Sequence, residues 1–417
     1  MGQLLSTGEK KYSKGDFYKL ACLFYLMFGA ILFIISPLLF LIVIGLTSPF
    51  FPAHARLLFG PLVLIVAITF YSTLEPFSDL AEYLNVYHQI NNGTINIFGY
   101  SRFGYGIEFL ILLIMKVVGY LSNGNDEAFL LAIYSIILSY LYFICNSLKN
   151  KYSLFLFCSV FLSLGMLESL SYFLRQNLSV VLFLYGLVCA KRRSTRWFYF
   201  LLSIFSHISG FINIFVYLFA IFYKKRINNL QRIMKVVCIA GGVTISLFFV
   251  MQLSTIGQSL LEKAIYVINS KQYSTLPVPY IIMTSINILI IAFLFRDNKD
   301  INVVFYYLFL KEVLFFYFTL PFPAVPNRLG MLVFSYSTIF GYYTLSYMGS
   351  GKRKLYITLM VICNLMAFNY AMYNISLKAN NYSFYNNQPF SYNIYNVFSN
   401  LYESLNNGVT YIDNGNN

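Results

Sequence analysis

Apolar runs recur along the whole chain, at 20–46, 56–74, 107–122, 127–148, 152–172, 174–190, 197–223, 235–254, 279–295, 301–320, 329–348 and 355–374, each bounded by charged or turn-forming residues. A hydrocarbon core of about 30 Å takes ~20 apolar residues per helical crossing. The runs therefore describe a chain that crosses a bilayer repeatedly. Lipid offers no partner to a bare N–H or C=O, so the crossings must be helices. The expected fold is all-α, a polytopic integral membrane protein with about 11–12 transmembrane helices. Residues 1–19 are its cytoplasmic N-terminus, 20–374 the helical bundle and 375–417 a polar tail on the far side, rich in Asn and Tyr. A soluble globule is excluded, since 59% of the residues are hydrophobic and 11% charged, against roughly 45–50% and 25% in soluble domains. The basic N-terminal segment enters the run 20–46 directly. That run exceeds the roughly 7–15 apolar residues of a cleaved signal, so it stays as the first span.

Lys and Arg number 29 against 15 Asp and Glu, a formal charge of +14. Most of the surplus marks sidedness. Clusters at Lys10, Lys11, Lys14 and Lys19, at Lys149 and Lys151, from Lys191 to Arg196, from Lys224 to Lys235, at Arg296 and Lys299, and from Lys352 to Lys354 fall between spans and go to the cytoplasm. The same surplus suits anionic lipid head groups or a diphosphate. Two places resist simple alternation. The run 197–223 has basic clusters at both ends, yet as one helix it measures about 40 Å, too short for two full crossings. Two half-helices meeting near His207 satisfy both ends. They also place a polar pocket beside His207, because broken backbone at that depth persists only inside protein or against water. The second place is 75–106, which alternation sends to the cytoplasm although it carries Glu75, Asp79 and Glu82 against Arg102 alone. Either a stretch near 78–91 dips into the membrane or the first runs are miscounted.

In so apolar a chain, an ionisable residue within a span costs about 2.5–3.5 kcal/mol on insertion scales and marks a partner or a function. Those residues are Glu108, Lys116, Glu168, Arg175, His207, Lys311, Glu312 and Arg328. Arg175 and Arg328 fall on the side away from the basic loops, and a guanidinium keeps its charge when buried and grips phosphate oxygens in pairs. Gln176 adjoins the first, and the prolines of PFPAVPN stiffen the turn before the second. The structural alternative is snorkelling to the interface or, for Arg175, a pair with Glu168 about two helical turns upstream. His207, in SIFSHISGF with Ser206, Ser209 and Gly210 as neighbours, can accept a proton near neutral pH, or can be a satisfied core histidine. Asp79 and Glu82 share one helix face and read equally as a solvated surface, while Glu108 opens the following span. Lys311 and Glu312 are neighbours that point in different directions on a helix, so each needs its own partner. The six cysteines show no CxxC spacing and read as packing residues. With three histidines and no Walker, HExxH or GxGxxG pattern, no metal or cofactor is expected.

The order of these features, an acidic SDLAEY segment, YGIEFLILL, LRQNLSVVLFLYGL, a basic loop, SHISGF and PNRLGML, resembles the EpsG-type branch of the Wzy-like polysaccharide polymerases over roughly residues 70–345. The resemblance implies a metal-independent glycosyltransferase of the bacterial inner membrane. Such an enzyme joins undecaprenyl-diphosphate-linked oligosaccharide repeat units, of O-antigen or similar surface polysaccharide, on the periplasmic face. By the same resemblance Arg175 and Arg328 match diphosphate-contacting arginines; Gln176 and Ser209, as neighbours of Arg175 and His207, are the further substrate-binding candidates. His207 matches a polar catalytic position, and Asp79 and Glu108 match acidic ones. The Arg that often precedes the acidic segment is missing from FYSTLEPFSD, and alternation sets Asp79 across the membrane from Arg175. The lipid-linked donor and acceptor, membrane lipids and a chain-length regulator are the expected partners, with no nucleic acid. The rival functions are a flippase for the same lipid, an O-antigen ligase-type transferase and, resting on His207 alone, an acyltransferase.

Overall fold

The computed structural model describes residues 14–73, 79–98, 107–147, 151–223, 278–297, 302–320, 330–345 and 392–407, with a few isolated positions between them. Among the described residues all regular structure is helical, as expected, and no strand occurs. The runs 235–254 and, for the most part, 355–374 lie outside them.

The run 20–46 is not one span. It divides into α1 (Lys14–Ile35) and α2 (Pro37–Thr47). Ser36 is extended and its hydroxyl accepts from Leu39 N at 3.4 Å, while Pro37 opens α2 where its missing N–H costs nothing. The Tyr25 hydroxyl donates to the Ile44 carbonyl at 3.2 Å, whereas a continuous helix would separate these residues by about 28 Å. Phe33 meets Phe40 edge to face at 5.2 Å. The two helices are thus an antiparallel hairpin, and a short 3-10 turn (Ser48–Phe50) brings the chain back beside Tyr25, whose ring stacks on Phe51.

This extra pass reverses the direction in which the next helices run. Helix α3 (Ala53–Ser72) runs antiparallel to α6 (Asp126–Asn146): Gly60 faces the Tyr142 ring, Tyr71 stacks on Tyr134 at 5.5 Å, and the Ser72 hydroxyl bonds the Glu127 carboxylate. The end of α3 therefore lies at the start of α6, away from Lys151. Helix α4 (Asp79–Asn91) finishes at that corner too, with His88 Nε2 at 3.0 Å from Asp126 and the Tyr87 hydroxyl donating to Asn125 O at 3.1 Å. Simple alternation puts 75–106 at the basic end; the hairpin moves α4 to the opposite one. Alongside it runs α5 (Leu110–Ser122), whose Lys116 ammonium donates to Ile90 O at 3.5 Å rather than joining an ion pair. Asn123 and Gly124, both at positive φ, make the tight turn into α6.

The run 152–172 is also broken, into α7 (Ser153–Phe161) and α8 (Leu164–Tyr172), before α9 (Leu174–Val188). Then α10 (Arg193–Ser206) packs antiparallel on α9, with Phe183 stacked on Phe200 at 5.1 Å and the Ser179 and Ser203 hydroxyls each donating to the other's carbonyl at 2.8 Å. Helix α11 (Ser209–Tyr223) folds back along α10, where Tyr217 meets Phe200 edge to face at 4.9 Å and accepts from Arg196 at 3.0 Å. The bend between them is His207, in extended backbone at φ −162° and ψ 139°. The two half-helices expected near His207 are present, and each is only about 20 Å long.

The remaining described helices are α12 (Val278–Asp297), α13 (Val303–Phe318), α14 (Met331–Phe334), α15 (Ser337–Leu345) and α16 (Ile394–Asn407). The break between α14 and α15 faces the one between α7 and α8. The Ser163 hydroxyl donates to Ser335 O at 2.9 Å, the Ser335 and Ser169 hydroxyls bond at 3.0 Å, and the Tyr336 hydroxyl donates to Asn177 Oδ1 at 2.9 Å. The Ser335 carbonyl released at one break is thus satisfied by Ser163 at the other, as a low-dielectric interior favours. Lys311 and Glu312, expected to need separate partners, pair with each other because long side chains reach around the helix. Each holds a further group as well: Lys311 donates to Asn213 Oδ1 at 2.7 Å, tying α13 to α11, and Glu312 accepts from Leu332 N at 3.0 Å. Part of the polar tail is helical, and α16 is held to the start of α6 by an Asn125 amide donating to Leu405 O at 2.6 Å. Of all these helices, α3 and α6 are each long and apolar enough to cross a membrane. Among the described residues, the runs 20–46, 152–172, 197–223 and 329–348 are each divided into two helices.

Candidate functional site

Four segments begin or bend at one place. Asp79 and Tyr83 lie in the first turns of α4, Glu108 just precedes α5, Arg175 and Gln176 open α9, and His207 forms the bend before α11. Glu108 is 4% exposed and joins three of them. One of its oxygens pairs with the Arg175 guanidinium. The other accepts the Ile208 N–H at 2.9 Å and lies 3.8 Å from His207 Nε2. A carboxylate buried this deeply is stable only with its oxygens engaged, and here both are.

Arg175 is fixed from a second direction. Its Nε donates to the Tyr83 hydroxyl at 3.0 Å, and its guanidinium carbon stands 5.8 Å from the centre of the Tyr83 ring, within cation–π range. Two bonds at different nitrogens set the plane of the guanidinium. At the bend, His207 Nδ1 accepts the Ser209 N–H at 3.1 Å and contacts the Ser209 hydroxyl at 2.8 Å. A neutral imidazole that accepts at Nδ1 carries its proton on Nε2, so the ring presents an N–H toward Glu108.

These side chains edge a pocket lined by Asp79, Tyr83, Phe173, Arg175, Gln176 and His207, with about 260 Å³ of space including its opening. Much of that space is open to solvent, so the pocket accommodates one polar head of a larger substrate rather than engulfing it. Three helices, α4, α9 and α11, start at this pocket, and α9 has no side-chain cap on its first turn. Helix N-termini favour negative charge, and with Arg175 they make the pocket suited to an anion. Among the described residues no three His, Cys, Asp or Glu side chains gather as a metal site.

The model of the EpsG family matches residues 55–388. The chain belongs to the EpsG family. Every pocket residue falls within the matched stretch. EpsG membership points to a polysaccharide polymerase-like function and, with the apolar helices, to a membrane protein. No curated protein and no solved structure matches the chain.

Of the residues singled out in this EpsG chain from sequence, Asp79, Arg175, Gln176 and His207 line one pocket, and Glu108 and Ser209 stand directly behind it. Asp79 and Arg175, set on opposite sides by alternation, share that pocket. Arg328 and the side chain of Glu168 lie outside the described residues. The partner of Arg175 found in the structure is Glu108. Tyr83, Phe173 and the Ile208 N–H were not anticipated. A signal for Tyr83 existed, since it follows Asp79 by four residues and so shares its helix face.

Proposed function

We propose that this protein polymerises undecaprenyl-diphosphate-linked oligosaccharide repeat units on the periplasmic side of the bacterial inner membrane, within a bundle that spans the membrane many times. The observation that carries this reading is the Arg175 guanidinium, fixed by Glu108 and Tyr83 at a pocket whose other walls are Asp79, Gln176 and His207. With Lys19, Lys151 and the Lys191–Arg196 loop in the cytoplasm, α10 climbs about 21 Å before it reaches His207. That length is consistent with a pocket in the outer half of a core about 30 Å thick, which supports the periplasmic reading.

The reaction breaks the bond from the donor's anomeric carbon to its diphosphate and forms a new bond from that carbon to a hydroxyl oxygen of the acceptor unit. The hydroxyl proton passes to a base, and undecaprenyl diphosphate leaves. Arg175, with Arg328 as a second positive group, stabilises charge developing on the leaving diphosphate; a fixed guanidinium does so without reorganising. Asp79 is the base in this scheme. Glu108 has both oxygens engaged and serves to position Arg175 and the His207 bend. His207 accepts at Nδ1 and turns its Nε2–H to Glu108, so it fixes the bend at the pocket wall rather than deprotonating the acceptor.

The test is the surface polysaccharide of cells carrying Arg175→Ala at unchanged protein level. Single repeat units on their final acceptor are the expected product. Polymer of normal length contradicts the diphosphate assignment, and complete loss of exported repeats favours a flippase.

A further inference from the structure

Gln176 lines the pocket beside Arg175, is 6% exposed, and among the described residues its Oε1 has no hydrogen-bond partner. A buried carboxamide oxygen without a donor loses its hydration with nothing in return, which makes such an atom rare in a folded chain. The neighbouring polar groups do not serve it. Arg175 donates to Glu108 and Tyr83, and the Ser209 N–H and hydroxyl turn to His207 Nδ1. A ligand that brings a donor to this oxygen gains a bond that the described residues do not supply.

From this geometry we infer that Gln176 reads a hydroxyl or amide N–H on the sugar attached to the diphosphate, and so makes the pocket a selector of that first sugar. This rests on the diphosphate reading above. Arg175 and Gln176 are consecutive in the first turn of α9 and both edge the pocket. The pocket they share is small, so a ligand whose anionic group is held by Arg175 brings its adjoining group to the wall that Gln176 forms. In a lipid-linked saccharide the group adjoining the diphosphate is its own first sugar. Sites built to hydrogen-bond a substrate hydroxyl discriminate strongly against analogues that lack it, because the protein group is left unpaired. Selection at Gln176 thus acts on one polar substituent and is indifferent to the rest of the repeat unit, which the small pocket cannot enclose.

The experiment compares binding of three probes to the full chain in lipid nanodiscs: farnesyl diphosphate, farnesyl diphosphate-linked glucose, and the set of monodeoxyglucose versions of the latter. The wild-type protein binds the glucose compound about tenfold more tightly than farnesyl diphosphate, the worth of one well-made neutral hydrogen bond. One monodeoxy position abolishes that gain. In Gln176→Met, which keeps length and removes the acceptor, the ratio of the two affinities falls to about one. The wild-type deoxy series needs no variant to fold. Equal wild-type affinity for the sugar-bearing and sugar-free probes, or a ratio that survives in Gln176→Met, overturns the inference and leaves the diphosphate reading in place. Binding of neither probe overturns both.

Discussion

At Glu108 one carboxylate holds a cation on α9 and the backbone of the α10–α11 bend together. Glu108→Gln keeps an acceptor for the Ile208 N–H but loses the charge opposite Arg175. Polymerisation should fall by about 10- to 100-fold, the weight of a charge-assisted bond, with the protein still folded. Glu108→Ala strands a buried guanidinium, a change that costs roughly 3–5 kcal/mol and should reduce the yield of folded protein. Arg175→Lys separates position from charge. An ammonium can pair with Glu108 but cannot at the same time fix a plane against Tyr83, so activity should be lost although the charge remains; full activity would mean that a point charge suffices. Glu108, Arg175 and His207 were legible in the sequence because an ionisable side chain in an apolar run must have a reason. Tyr83 was not, since it is one of 37 tyrosines and its role depends on which guanidinium it meets.

Two hairpins set the geometry of the elements, and they were unequally visible. The bend at His207 could be read because basic clusters at both ends of 197–223 forbid a single crossing. The fold-back at Ser36–Pro37 was masked by apolar residues on either side, although Ser followed by Pro is a fair helix-start signal; the acidic loop 75–106 pointed to a miscount among the first runs without locating it. Labelling of single cysteines in a cysteine-free background tests the correction. Asn92→Cys, at an exposed position after α4, should react with an impermeant maleimide added outside the cell, and Lys151→Cys should not. Protection of both positions, which puts them on one side, contradicts the hairpin. The other bend depends on Gly210, where an added Cβ would come within 2.8 Å of the Ser203 backbone. Gly210→Val should force α11 off α10, lower stability by about 1–3 kcal/mol and displace His207, which thermal melting and polymer length would report together.

For the whole molecule, composition fixed the class but not the construction. A break was expected in 197–223 alone, whereas 20–46, 152–172 and 329–348 are also pairs of short helices, and Ser163 at one break bonds Ser335 at another. Hydropathy cannot distinguish these, because lipid-facing and protein-facing residues in such a bundle are equally apolar. What joins the pieces into one account is that the acidic segment, the Arg-Gln pair and the His bend, far apart in sequence, edge one pocket. The claim that this pocket polymerises a lipid-linked saccharide is tested most directly by adding purified protein in nanodiscs to undecaprenyl-diphosphate-linked repeat units and resolving the products on a gel. Wild-type protein should give a ladder of products spaced by one repeat unit and Arg175→Ala the starting material alone; no ladder from the wild type, or an identical ladder from the variant, would contradict the account.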